Sequence, residues 1–385
     1  MQANEMGPLA LEIGRSVASG VAGMLLRAGG VSVLRVEFGD ELEMDAARED
    51  LATYHAVRDA WLHSGKLSVA FRDHAAARAT MPGLVALADV VIDGLEYGAR
   101  DALALVPEMG IGAPWVCVTP HGRDDPRPSA DLIATAVSGA VFAIGRPDRE
   151  PLTIPHEYAS FQAGAIAATA AMASLVGHAA ATVIDVAVSD VISAYAAANA
   201  TLFTWKREGH RAADSGGAYP YTILPARDGY VCLAVRSNGE WRRMLEALDN
   251  PAWADDPRVR DVREMADSHA DELDELLSET LAQFTCAELL SRAATHGCAI
   301  APVRDLEDII ADPDLRGAGV IRDVPSLDGR VALPRLPWLG ADDPEMAAPA
   351  PGEHNAEVRR WLRDARLPEP SEDVAWSLTA RASRA

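Results

Sequence analysis

The chain has 385 residues, 49% of them hydrophobic and 24% charged, with a formal net charge of -22. That length suits about two domains with ample core, and so acidic a surface argues against nucleic acid or an anionic membrane as the main partner. The most apolar run, Ala163 to Leu175, is shorter than the roughly 20 residues a spanning helix needs, and the first residues lack a basic stretch followed by an apolar one. A cytoplasmic, enzyme-sized protein without a membrane or nucleic-acid partner is therefore expected. Cys117, Cys232, Cys286 and Cys298 are scattered without metal-ligand spacing, so they read as buried free thiols and no metal is expected.

In chain order, residues 9–28 read as one amphipathic helix, and the β-branched run Val31 to Glu37 as a strand. A helix near Tyr54 to Leu62, a strand Leu67 to Phe71, a helix Ala75 to Ala88 and strands Ala88 to Asp93 and Trp115 to Thr119 follow. Strands without polar alternation, alternating with helices, predict a parallel sheet covered on both faces. No G-x-G-x-x-G or Walker-type glycine loop follows any strand, so the nucleotide cradles of those folds are missing.

The stretch Val137 to Gly177 organises the chain. A helical end at Ala134 to Ala143 stops at Gly145, a loop carries Pro147, Pro151 and Pro155, and an Ala/Gly-rich helix begins at Ser160. A helix mouth offers free N–H groups and partial positive charge, and His156 and Glu157 stand just upstream as candidate acid/base groups or as plain loop residues. Beyond it lie a strand Ala181 to Val188, a helix Ser189 to Ala200, and a polar linker through Asp214-Ser215-Gly216-Gly217. A hairpin turning at Asp228-Gly229, helices Asn238 to Leu248, His269 to Phe284 and Cys286 to Thr295 (capped by Thr285), and a strand Ala299 to Val303 predict a small α+β domain.

The series Ser138-Gly139, Ile144-Gly145, Pro147-Asp148, Pro151 and Ala163-Gly164 resembles the family III CoA-transferases, the carnitine CoA-transferase, bile-acid-inducible, formyl-CoA transferase and α-methylacyl-CoA racemase group. Further matches, in the family's order, are Gly30-Arg35-Glu37, Gly65-Lys66, the turn Asp93 to Gly98, Thr119 to Gly122, Tyr219-Pro220-Tyr221, and Gly352-Glu353-His354. The resemblance spans about residues 10–365. It implies a Rossmann-like α/β large domain from residues 1–203 and 318–367, a linker 204–224, a small domain 225–317 and a tail 368–385 expected to be poorly ordered. It also implies two interlocked subunits, as a homodimer or a heterodimer with a homologue.

The same resemblance implies acyl-CoA as substrate and assigns Lys66, Glu96, Tyr97, Gly145, Gly216 and Gly217 to its binding, although Glu96 stands where the family places an arginine. Gly216 and Gly217 match a glycine-rich active-site loop and equally suit a plain interdomain turn. The family's nucleophile is an aspartate four residues before the helix glycine, and here that position is Ser160. A carboxylate attacks the thioester, forms a mixed anhydride and recaptures CoA; a serine would form only an unactivated ester, and needs a base such as His156 or Glu157. Three readings stay open: an acyl-CoA:carboxylate CoA-transferase, a diverged acyl-CoA hydrolase, racemase or dehydratase, and a non-catalytic subunit paired with an aspartate-bearing homologue.

Overall fold

The computed structural model describes residues 7–39, 52–105, 113–144, 150–154, 156–177, 182–195, 218–326, 329–336 and 347–365. The chain divides into two compact units, one of Met1–Ile144, Pro151–Arg207 and Arg316–Ala385, the other of Gly145–Glu150 and Glu208–Leu315.

The first unit opens on a strand, β1 (Leu9–Gly14), followed by helix α1 (Val17–Ala28). The expected single helix over 9–28 is thus two elements. All six residues of β1 are buried, as in a strand covered on both faces. Gly14 has φ +92° and breaks the chain's direction, and Ser16 then caps α1 by accepting a 3.0 Å hydrogen bond from the Ser19 N–H. Strand β2 (Ser32–Phe38), helix α2 (Ala52–His63) and strand β3 (Leu67–Phe71) follow. The expected helix over 75–88 is also two, α3 (His74–Ala77) and α4 (Met81–Leu87), because Asp73 caps the first and Pro82 starts the second.

Strand β4 (Val90–Gly94), helix α5 (Ala99–Leu103), strand β5 (Trp115–Thr119) and helix α6 (Asp131–Val137) lead to the long helix α7 (Tyr158–Val176). Strand β6 (Val183–Ala187) and helix α8 (Val188–Tyr195) complete this run. The six strands form a sheet in the order β3-β2-β1-β4-β5-β6, every pair parallel. The order reverses between β1 and β4, and in doubly wound sheets ligands bind outside the strands' C-terminal ends at such a switch point.

In the second unit, β7 (Tyr221–Pro225) and β8 (Tyr230–Ala234) form the expected antiparallel hairpin. Helices α9 (Asn238–Ala247), α10 (Val262–Ser268), α11 (Ala270–Leu281) and α12 (Cys286–His296) precede strand β9 (Ala299–Pro302), which pairs with β8. Thr285 and Glu288 form a capping box at α12. Trp241, 1% exposed, anchors the core and donates from Nε1 to the Val259 carbonyl at 2.7 Å. Short helices α13 (Leu306–Ala311) and α14 (Pro313–Gly317) lead out of it.

The chain re-enters the first unit through a hairpin of β10 (Ile321–Ser326) and β11 (Gly329–Pro334), and ends its described course in helix α15 (Asn355–Asp364). The matched segment Gly352 to Asn355 covers the outer edge of β3. His354 Nδ1 accepts from the Ser68 N–H at 3.1 Å, the His354 N–H donates to the Ser68 carbonyl at 3.0 Å, and Asn355 Oδ1 accepts from the Ala70 N–H at 2.9 Å. An edge that would otherwise present unpaired backbone groups is closed in this way. Trp361, 1% exposed, fixes α15 to the sheet core. The tail 368–385 lies outside the described residues.

Candidate functional site

Helices α1 and α7 lie side by side and run in the same direction. A Cβ on Gly164 would meet the Ala18 carbonyl and Val21 at 2.6 Å, while one on Gly29 would meet Met172 at 2.8 Å. Ala18, Ala22, Ala163, Ala167 and Ala171 are buried together at this seam. The helix α7 is apolar and long enough to cross a membrane by length and composition, yet its small-residue side is packed on α1, as in a core helix. Because the two helices are parallel, their N-termini share one end, the C-terminal edge of the sheet. Ser16 caps one and Ser160 lies in the first turn of the other, one turn before Gly164.

At the switch point β1 and β4 pinch together. A Cβ on Gly14 would stand 2.5 Å from the Gly94 backbone, and one on Gly94 would stand 2.4 Å from Ser19 Oγ. Glycine at both positions lets the strands close under the α1 N-terminus. Beside it, toward β2 and α2, lies a narrow cleft with room for about one water, lined by Glu12, Arg15, Ser16, Arg35, Arg58, Asp59 and His63 among others.

The mouth of α7 is built by a residue the sequence reading passed over. Asp131, the first residue of α6, accepts from the Ala159 N–H at 3.0 Å and from the Ser160 N–H at 2.7 Å. Glu157 precedes the helix with φ 51° and makes no side-chain cap. A carboxylate therefore already sits on the positive end of α7, supplied from 29 residues away. The available signal was an Asp opening the helix that runs into Ser138-Gly139. Ser160 itself is half-buried and His156 exposed, and His156 also has positive φ, 60°.

Glu157 is not free at the mouth. Its carboxylate accepts from Tyr54 Oη at 3.1 Å and from Arg58 Nη1 at 3.2 Å, both on α2, one turn apart. Burial and the neighbouring carboxylate raise the Tyr54 phenol above its usual range. Trp61, also on α2, stacks on Phe161 at 5.5 Å, and with Val17 and Leu62 they form one apolar cluster beside the cleft.

Lys66, expected to bind CoA, is turned inward. Its Nζ is wholly buried, donates to Glu12 Oε2 at 2.6 Å and to the Gly20 carbonyl at 2.9 Å, and lies 3.1 Å from His63 Nδ1. Its side chain ends beneath Gly23, where a Cβ would stand 1.9 Å from Glu12 Oε2. An ammonium so enclosed has no hydrogen left to offer a phosphate. Burial raises Glu12 and lowers Lys66, opposed in each case by the partner's charge. His63 is held well below its usual range by burial, then by the fields of Arg35, Lys66, Arg58 and Arg15. Arg35 pairs with Glu37 at 2.8 Å, and Glu37 in turn accepts from Ser68 Oγ.

Glu96 and Tyr97 sit in the exposed turn after β4, Tyr97 with 62% of its surface free. The cation nearest in sequence, Arg100, donates from Nε to the buried Asp93 at 2.6 Å. Gly145, Gly216 and Gly217 lie outside the described residues.

A parallel sheet of order 3-2-1-4-5-6, with the N-termini of α1 and α7 at the C-terminal edge of its strands, defines an α/β protein. The model of CoA-transferase family III matches residues 7–355. The chain is 29% identical over 384 residues, covering 90% of it and 93% of the relative, to the succinate–glutarate CoA-transferase of Agrobacterium fabrum. It is 26% identical over 314 residues to succinyl-CoA:(R)-benzylsuccinate CoA-transferase subunit BbsE of Thauera aromatica, covering 74% of this chain and 75% of that one. A crystal structure of a CaiB/BaiF family protein from Brucella suis superposes with a TM-score of 0.79 at 24% identity, covering 92% of this chain and 98% of that one. The chain belongs to CoA-transferase family III, and its function is that of an acyl-CoA:carboxylate CoA-transferase-like protein.

Proposed function

We propose that this chain binds the CoA thioester of a small dicarboxylic acid and takes part in CoA transfer as one subunit of an interlocked dimer. We further propose that the dimer pairs it with a homologue bearing the family's aspartate. Ser160 carries this reading. It lies in the first turn of α7, at the position the resemblance assigns to the family's nucleophile, where a hydroxyl offers an ester in place of the mixed anhydride from which CoA is recaptured. The relatives' names supply the substrate class, since both act between dicarboxylic acids, and one is described as a subunit. Leu132, Ile133 and Val137 on α6 and Phe142 just beyond it are exposed, an apolar surface of the kind a partner subunit covers. Tyr97 supplies a free ring at the turn matched to the nucleotide end, with Glu96 beside it in place of a cation. The CoA glycines are Gly145, Gly216 and Gly217, and a cytoplasmic setting follows from the CoA chemistry.

A second reading has the chain catalysing alone, with Glu157 as a displaced nucleophile or with His156 or Glu157 as base to Ser160. The Glu157 carboxylate, one turn ahead of Ser160, favours it. Against it stands the Arg58 and Tyr54 clasp, which engages both oxygens. The two separate in a trapping experiment. The chain is incubated with succinyl-CoA, treated with hydroxylamine or borohydride, and digested for mass spectrometry. The subunit reading expects the peptide spanning His156 to Ser160 unmodified. A hydroxamate or reduced adduct on Glu157 establishes the displaced nucleophile, and acylation of Ser160 establishes serine chemistry.

A further inference from the structure

Arg58 and Tyr54 form a cradle for one carboxylate, and in this structure the occupant is the chain's own Glu157. Four observations bear on what else that cradle holds. First, its guanidinium also lines the narrow cleft beside the α1 N-terminus, with Arg15 and Arg35 and with the acids Glu12 and Asp59. Arg35 is 8% exposed, and its Nε has no hydrogen-bond partner among the described residues. Buried donors without partners are rare, and an ordered water or an ion commonly satisfies them. Second, the occupant is held at some conformational cost: His156 and Glu157 both have positive φ, 60° and 51°. For non-glycine residues that region costs about 1–2 kcal/mol each. Third, the pair is partly open to solvent, with side-chain exposures of 18% and 26%. Such an ion pair contributes at most about 1 kcal/mol, so exchange for another carboxylate is nearly neutral.

The fourth observation is reach: Glu157 is the N-cap residue of α7 and Ser160 lies in its first turn, so both stand at the same helix mouth. The two carbonyl carbons of a four- or five-carbon diacid are separated by roughly 4–5 Å, from carbon–carbon bonds of about 1.5 Å. The stacked Trp61 and Phe161, the latter next to Ser160 in the chain, offer an apolar surface for methylene groups.

Building on the proposed CoA-thioester function, we propose that Arg58, with Tyr54, reads the free carboxylate of a dicarboxylic acyl group, which takes the seat Glu157 fills here. Arg58 is thus a specificity-determining residue and Glu157 an internal placeholder for the substrate's distal carboxylate. A monocarboxylic acyl group of the same length lacks the charge to displace it. Asp59, 3.3 Å from Arg58 Nη2, stays paired in either state and keeps the guanidinium in place.

The test is calorimetric titration of succinyl-CoA and of butyryl-CoA into the wild-type chain, Arg58→Gln and Glu157→Gln, with a thermal melt of each variant to establish folding. Charge-assisted pairing of carboxylate with guanidinium is the contact removed in Arg58→Gln. That variant is expected to lose about tenfold or more in succinyl-CoA affinity, while butyryl-CoA changes less than about twofold. Glu157→Gln removes the competitor and is expected to tighten succinyl-CoA several-fold, again with butyryl-CoA unchanged. Equal changes for both thioesters, or none in either variant, overturn the assignment and leave the CoA-binding function standing. Failure of the folded wild-type chain to bind either thioester overturns both.

Discussion

Lys66→Met is expected to destabilise the protein by about 3–5 kcal/mol, the cost of leaving a buried charge without its partner. The orphaned group is Glu12, 1% exposed on the central strand β1, with Lys66 Nζ 2.6 Å away. Gly23 above it leaves no room for a replacement donor on that side. The double variant Glu12→Gln/Lys66→Met removes the charge from both sides and is expected to regain much of the loss. Urea unfolding midpoints of the three proteins check this. A CoA-contacting lysine would behave differently: its loss would weaken binding and leave the midpoint in place.

Gly164→Ala is the second large effect, and its sign runs against helix propensity. Alanine is favoured over glycine inside a helix by about 1 kcal/mol. Here the added methyl would stand 2.6 Å from the Ala18 carbonyl and from Val21 Cβ. A backbone carbonyl cannot turn aside as a side chain does, so α1 and α7 must separate, at an overpacking cost of about 1–3 kcal/mol or more. The net expectation is a destabilisation of about 2 kcal/mol, with Gly164→Leu far worse. Thermal melts report it. Because this seam sets the spacing of Ser16 from Ser160, the surviving Gly164→Ala protein is also expected to bind acyl-CoA more weakly. A melting temperature raised by the substitution would show that the helices are not pinned there.

Much of the fold was legible in the sequence because its signals are local. Buried strands such as Trp115–Thr119, the Thr285 cap of α12 and the Asp228-Gly229 turn each declare themselves within a few residues. The misreadings had the opposite origin. Leu9 to Gly14 continues the apolar pattern of α1, and only the φ of Gly14 and the Ser16 cap separate strand from helix. The β10–β11 hairpin, to which no element was assigned from sequence, carries Pro325 inside a strand, a residue that argues against strand in any local reading. The site was legible only in part. Ser160 was placed at the mouth of α7 from the family's spacing. Asp131 and Arg58 act there through contacts 29 and 99 residues distant, beyond the range of any local pattern. A motif lysine before a strand looks alike whether it faces a phosphate or a buried glutamate, and here Lys66 Nζ is bonded to Glu12.

Binding of an acyl-CoA by this chain is the expectation on which the transferase reading rests. The measurement is calorimetric titration of succinyl-CoA into the purified wild-type protein at moderate ionic strength, with free CoA as competitor. Saturable binding near one thioester per chain, displaced by CoA, is the predicted result. A folded protein that shows no heat with succinyl-CoA, alone or in the presence of an aspartate-bearing homologue, would contradict it.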